Sequence, residues 1–180
     1  MRTAIQNAVN ENIVLVFAAG NFNENTDNNP MYPGVYPEVI AVAALDQLDQ
    51  KADRPTWGSN FGTNVDVSAP GVNVWSTARF GGYRFLEGTS MATPHASGVA
   101  ALVWSVNRNL TNEEVRQVIE DTCDDIDAAN PGFVGMLGRG RVNAFQAVSR
   151  ATGAISMSGA LSQLLEPNKD ISGALSSVLE

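Results

Sequence analysis

Ile13-Val14-Leu15-Val16-Phe17-Ala18-Ala19-Gly20-Asn21 is an aliphatic and β-branched run with no polar interruption before Gly-Asn. Such a run predicts a strand buried on both faces, ended by a turn at Gly20-Asn21. Val39-Ile40-Ala41-Val42-Ala43 repeats the pattern, and Asn64-Val65-Asp66-Val67-Ser68, stopped by Pro70-Gly71, predicts a shorter third strand. Buried strands separated by loops and helices are what a parallel sheet covered on both faces produces, so the fold class is α/β with a mostly parallel sheet. Upstream of the first strand, Ile5, Ala8 and Val9 recur at helical spacing. Between the first two strands, Asn23 to Pro30 is a polar surface loop. Val72-Asn73-Val74-Trp75-Ser76 predicts a surface strand.

The residues from Ser90 to about Asn107 are mostly small and apolar, among them Ala92, Ala96, Gly98, Val99, Ala100, Ala101, Leu102 and Val103. They predict a helix buried on most sides, with Pro94 tolerated because it lies in the first turn. Thr111-Asn112-Glu113-Glu114 is a capping box, and Val115, Val118, Ile119 and Thr122 then follow one face. A further helix starts near Arg141 with Phe145 and Val148 inward. After Ser149 the character changes, because Ser-Gly-Ala-Leu-Ser occurs at Ser158 and again at Ser172. Residues 1–150 form one domain on this reading, and 151–180 an appended tail.

Composition bounds the function. With 44% hydrophobic and 17% charged residues over 180, the chain has no disordered-protein signature. Its 19 Asp and Glu against 11 Lys and Arg give a net charge of −8, which repels phosphate backbones and argues against a nucleic-acid partner. The longest uncharged apolar stretch, around Gly98 to Val106, falls short of the roughly 20 residues that cross a bilayer, so no membrane partner is expected. The single Cys123 excludes an internal disulfide. The first residues lack the apolar core of a signal peptide, and localisation is open.

Chemistry concentrates at Gly88-Thr89-Ser90-Met91-Ala92-Thr93-Pro94-His95. A serine becomes a useful nucleophile at an exposed turn, beside a general base and donors aimed at the developing oxyanion. Gly88 allows a sharp turn and close approach to a substrate. Ser90 then opens a helix, where its amide sits at the positive end of the dipole. Asn21, at the carboxyl end of a central strand, is a second donor. The structural alternatives are a helix N-cap for Ser90 and a strand-ending turn residue for Asn21.

The segment Gly88 to His95 resembles the serine motif of the subtilases, the subtilisin-like serine peptidases. Ala18-Ala19-Gly20-Asn21, Tyr36-Pro37-Glu38-Val39-Ile40-Ala41-Val42, Val67-Ser68-Ala69-Pro70-Gly71 and Gly138-Arg139-Gly140-Arg141-Val142-Asn143-Ala144 resemble further family segments in family order. The resemblance covers roughly Met1 to Arg150 and implies part of a three-layer fold that lacks its amino-terminal strands. It implies a serine endopeptidase acting on peptide or protein substrates, with Ser90 as nucleophile. The Asn21 side-chain amide and the Ser90 N–H would form the oxyanion hole, with Thr89 assisting. Ala18, Ala19 and Gly20 would wall the primary specificity pocket, with Met31 near its floor shortening it, and Gly88 and Thr89 would adjoin the substrate. Met91 would be the oxidation-sensitive neighbour of the nucleophile. Family precedent leans toward an exported protein.

The departure from the family is equally informative. Subtilases order their triad Asp, His, Ser, and segments resembling Asp-Thr-Gly and His-Gly-Thr-His are absent. The single histidine, His95, lies five residues beyond Ser90, which on a helix turns it about 140° away. Ser90 therefore has no base in this chain, and the expectation is a carboxyl-terminal part inactive alone. A complementary segment carrying the Asp and His would be its partner. The alternative is a non-catalytic remnant or peptide-binding module. No cofactor is required for the chemistry. The resemblance further implies a weakly bound calcium or sodium ion on Pro37, Val39 and Asp66, though Asp66 equally suits a loop cap. Asp121, Asp124, Asp125 and Asp127 lack the spacing of a calcium loop and suit a solvated helix end. Asn109-Leu110-Thr111 fits the glycosylation pattern, but Thr111 already has a capping role.

Overall fold

The computed structural model describes residues 1–153. The Ser-Gly-Ala-Leu-Ser tail, apart from residues 151–153, lies outside the described residues. Helix α1 (Arg2–Asn10) leads into β1 (Val16–Ala18), which joins β2 (Ile40–Leu45) and β5 (Val67–Pro70) in a parallel sheet of order β1-β2-β5. Val16 lies opposite Ile40, and Val42 opposite Val67. Strands β3 (Asp53–Arg54) and β4 (Trp57–Gly58) form one small antiparallel pair, and β6 (Val74–Thr77) and β7 (Tyr83–Leu86) another. Helices α2 (Thr89–Val106), α3 (Asn112–Asp121) and α4 (Ala144–Ala151) follow, with a 3-10 turn at Asp127–Ala129.

Strand β2 is buried along its whole length. Ile40, Val42 and Ala44 face α2, where with Val67 and Ala69 they meet Ala92, Ala96, Val99 and Val103, backed by Val115, Ile119 and Ala147. Ala43 and Leu45 face the other way, into a cluster with Ala19, Val65, Ile126, Leu137, Phe61 and Phe133. Burial on both faces accounts for the missing polar alternation. The second cluster is closed by loops and the 3-10 turn, so among the described residues the three-layer arrangement has a helical layer on one side only.

Two expectations need correction. The buried residues of α2 (Thr89, Ala92, Ala96, Val99, Ala100 and Val103) lie along a single stripe, while Ala101 and Leu102 are exposed. Small size reflects close packing on that stripe, not burial all round. The last helix begins at Ala144, with Asn143 as its cap accepting from the Gln146 amide at 3.0 Å. Arg141 and Val142 are instead extended beside β5, where Ser68 N–H donates to Gly140 O and Val142 N–H to Ser68 O. That later start turns Phe145 outward, to 76% exposure, and Ala147 is the buried residue. Gly138, at φ 74°, is required by this approach, because a Cβ there would collide with the Asp66 carbonyl.

The three parallel strands end on one edge of the sheet. Gly88 N–H donates to Gly71 O at 2.8 Å, which brings the start of α2 to that edge, where the turn after β1 also lies. Carboxyl ends of parallel strands are where α/β folds place their sites.

Candidate active site

Gly88, at φ 136° and ψ 165°, is the N-cap of α2 and makes no side-chain cap. Ser90 is therefore the second residue of the helix, not its cap, and the capping alternative falls. Its side chain is exposed, and neither its hydroxyl nor its N–H is hydrogen-bonded among the described residues. A free hydroxyl and a free amide at a helix start are what a nucleophile with its own oxyanion donor needs.

Asn21 is held at one end. Its Oδ1 accepts from Thr89 N–H at 2.8 Å and from the Thr89 hydroxyl at 2.9 Å. Two donors on one atom assign it as oxygen, so Nδ2 is the open end of the amide. Thr89, fully buried, also accepts from Gly20 N–H at 3.3 Å. Its part is to orient Asn21. A Cβ on Gly88 would lie 3.5 Å from the Asn21 amide, so the glycine keeps the approach to that amide clear.

The residues expected around a specificity pocket separate. Met31 packs beside Gly20, its Cγ 3.2 Å from where a Cβ on that glycine would stand, and Ala18 adjoins the same loop through Gly34. The Ala19 methyl is 2% exposed and points into the second core cluster, so Ala19 offers only backbone to a pocket. Ser90, Met91, Pro94 and His95 line a cleft closed by β6 and Leu86. His95 Nδ1 lies 2.9 Å from Met91 O, one helical turn back. No hydrogen bond joins its ring to Ser90 among the described residues.

The oxygens expected around a cation meet a guanidinium instead. Arg116 donates through Nη1 to Pro37 O at 2.5 Å, through Nη2 to Asp66 Oδ1 at 2.6 Å, and through Nε to Glu120 Oε1 at 2.6 Å. Asp66 Oδ2 accepts from Ala41 N–H at 2.7 Å. Burial raises the Asp66 pKa, and the Ala41 and Arg116 donors oppose that rise. The guanidinium thus takes up oxygens of two of the three residues expected around the cation, Pro37 and Asp66. No group of three His, Cys, Asp or Glu side chains converges among the described residues. In the acidic cluster, Asp121 pairs with Arg150 and Asp124 with Arg141, as a helix end does.

Three polar residues near these sites were not picked out by sequence motifs: Arg116, Lys51 and Asn60. Lys51 is 6% exposed, its ammonium 2.6 Å from Asn23 Oδ1 and 4.9 Å from the Phe133 ring centre, and burial lowers its pKa. Asn60 is fully buried, with its side chain bonded to Phe22, Glu24 and Ala19 backbone. A fully polar side chain between Gly58 and Gly62 in a short loop was the signal available for Asn60.

Comparison with known proteins bears on the family and the fold. The profile of the subtilase family, Peptidase S8, matches residues 1–153. The chain is 44% identical over 151 residues to the "Thermophilic serine proteinase" of Bacillus sp. (strain AK1), covering 82% of this chain and 34% of that protein. It is 42% identical over 148 residues to thermitase of Thermoactinomyces vulgaris, covering 82% and 48%. A solved protease structure from Pseudoalteromonas arctica superposes with a TM-score of 0.72 at 32% identity, over 83% of this chain and 46% of that one. The chain thus spans between about a third and a half of the proteins it matches. With a matched sequence from residue 1 to 153, a shared fold, and Ser90 and Asn21 on one edge of that fold, the chain belongs to the subtilase family.

Proposed function

We propose that this chain is the nucleophile-bearing part of a serine endopeptidase, in which Ser90 attacks the scissile carbonyl of a peptide or protein substrate. The observation that carries the reading is the pair of Thr89 donors on Asn21 Oδ1, which ties Asn21 to the residue before Ser90 and leaves Nδ2, like the Ser90 N–H, unbonded among the described residues. In the tetrahedral intermediate the carbonyl oxygen becomes an anion, and these two donors would share its charge. The Ser90 proton must pass to a general base, and none of the described groups around Ser90 can take it, since the one imidazole in the sequence is engaged with Met91 O. Full turnover therefore requires a segment supplying a histidine and the aspartate that orients it.

Packing supports that partner. Strand β1 pairs only with β2 among the described residues, so its outer edge offers unpaired backbone to another strand. Helix α2 presents Ala101, Leu102 and Gly98 outward, and a Cβ at Gly98 would touch nothing within 4 Å. Small residues on an open helix face suit close approach of a further element.

Fluorophosphonate labelling tests the reading. The chain alone should label slowly, and adding a segment that bears Asp-Thr-Gly and His-Gly-Thr-His should bring rapid labelling, peptide cleavage, and loss of both in Ser90→Ala. A second reading, a non-catalytic module that keeps the cleft, is favoured by the engagement of His95 with Met91 O rather than with Ser90. Failure of every such segment to restore Ser90-dependent cleavage would establish it instead.

A further inference from the structure

Asn60 is 0% exposed yet lies in no helix or strand. A buried amide needs partners for its oxygen and its nitrogen, because either one left unmet forfeits its hydration with nothing in return. Asn60 finds them all on one short stretch of backbone. Oδ1 accepts from Phe22 N–H at 2.9 Å and from Glu24 N–H at 3.1 Å, and Nδ2 donates to Ala19 O at 3.1 Å. Its own N–H donates to Gly20 O at 2.9 Å. The backbone is thus held on both sides of Asn21, whose own head group is held from the opposite side by Thr89.

The fit depends on this side chain. A Cβ on Gly20 would lie 2.5 Å from Asn60 Nδ2, so the loop closes over the amide only because residue 20 is glycine. Aspartate would keep the two acceptor bonds and lose the donor, leucine would lose all three, and glutamine is one methylene too long. The clamp is itself anchored. Ser59 Oγ accepts from Ala44 N–H in β2 at 2.9 Å and donates to Asn60 O at 2.9 Å, which ties Asn60 to the strand buried on both faces.

We propose that Asn60 is a positioning residue for the oxyanion donor. It touches neither substrate nor the reacting atoms, and acts by fixing Ala19 to Glu24 so that the Asn21 amide keeps its place against Thr89 at the start of α2. A preorganised donor stabilises the transition state only if it does not have to move when the charge develops. The proposal rests on the reading of Asn21 as that donor.

Two measurements test it. In the 180-residue chain, amide hydrogen exchange of Thr89 reports the Asn21 Oδ1 bond. Asn60→Ala should raise Thr89 exchange roughly tenfold or more while Val99 and Val103 amides in α2 hold, although Asn60 and Thr89 share no bond. Unchanged Thr89 exchange, or an equal rise throughout α2, overturns the proposal. Should the alanine variant not fold, Asn60→Ser, which keeps an acceptor and leaves a smaller void, is read the same way. In the assembled peptidase, Asn60→Ala should lower kcat roughly tenfold with little change in KM, and lower it no further in an Asn21→Ala background. Additive losses would mean that Asn60 acts elsewhere and would overturn the proposal. If the unmutated assembly does not cleave peptides, the peptidase reading fails, and Thr89 exchange still decides whether Asn60 positions Asn21.

Discussion

Thr89 contributes two donors to one oxygen, and the two can be removed separately. Thr89→Val deletes the hydroxyl bond to Asn21 Oδ1 and the acceptor for Gly20 N–H while sparing the backbone bond. In the assembled peptidase, kcat should fall about fivefold for this variant, since a charge-neutral hydrogen bond contributes about 1 kcal/mol. Asn21→Leu should lose about 10²–10³, the cost of one oxyanion donor; that figure was established on subtilisin, a relative, and is carried over. Steady-state kinetics on the two variants checks both, and an equal loss for the two would mean that Thr89 does more than orient Asn21. Pro94 lies inside α2 as its sixth residue and not in its first turn, but the turns that hold Asn21 and Ser90 were legible in the sequence because Gly20 and Gly88, both at positive φ, shape the backbone there. Asn60 and Arg116 were not, because each acts through bonds to residues 36 to 79 positions away, and no local pattern encodes those pairings. Cys123 carries a prediction of the same local kind. Burial, with Glu120 and Asp124 adding to it, pushes its thiol up to about 12. Native chain should resist Ellman's reagent at mildly alkaline pH and react only as it unfolds; fast stoichiometric labelling of folded protein would contradict that.

Helix α3 is joined to the sheet through charge. Arg116 reaches both Pro37 O before β2 and Asp66 before β5, with the pair's side chains less than a fifth exposed. Arg116→Met leaves the largely buried Asp66 carboxylate without its cation and should cost about 2 kcal/mol, below the roughly 3–5 of a fully buried pair. Urea unfolding measures it. Because the guanidinium already occupies these oxygens, calcium chloride should leave the wild-type midpoint where ionic-strength-matched potassium chloride leaves it, and a calcium-specific rise lost in Asp66→Asn would show a cation site after all. The turn after α3 responds to acid. Hydrogen bonds from Arg141 and Asn143 hold Asp124 below its ordinary 3.8. Its folded value is depressed, so its contribution is present above about pH 3.8 and is lost as pH falls through the folded value. The lead of wild type over Asp124→Asn in urea midpoint should be greatest near neutrality and vanish in strong acid. It should stay under about 1 kcal/mol, since both partners are more than a third exposed. Among the elements, β2 and the capping box of α3 were legible because burial on both faces and reciprocal capping write themselves into consecutive residues. Strand β7 was missed because Tyr83, Arg84 and Phe85 are exposed and it exists through pairing with β6, which no single segment reveals. The start of α4 was misplaced for a related reason: Arg141 and Val142 are captured by Ser68 and Asp124 across the chain.

The described fold leaves apolar surface on several fronts at once. Trp75 stacks on Tyr83 and packs tilted against Phe85 on the β6–β7 hairpin, each of the three more than half exposed. Ile13 precedes the unpaired edge of β1 at 48% exposure, and Leu102 on the open face of α2 matches it at 48%. Scattered apolar residues are ordinary on a surface, but an open strand edge next to an open helix face is a template for association. The two sites differ in what would cover them. A complementary segment that adds a strand to β1 and packs on α2 would protect Ile13 and Leu102 and leave the hairpin aromatics, which flank the cleft, exposed. Self-association through the hairpin would do the reverse. Dye binding and sedimentation of the chain alone should therefore show exposed apolar surface and concentration-dependent association, both reduced on adding the segment that restores cleavage. Leu102→Lys separates the contributions. Placed on the proposed contact face, a lysine should weaken complementation roughly tenfold or more while leaving the chain's own unfolding midpoint nearly unchanged, because a half-exposed position loses little burial. Trp75→Lys should leave complementation intact. If instead the hairpin variant abolishes complementation and the α2 variant does not, the partner binds across the cleft, and the open edge of β1 has another occupant.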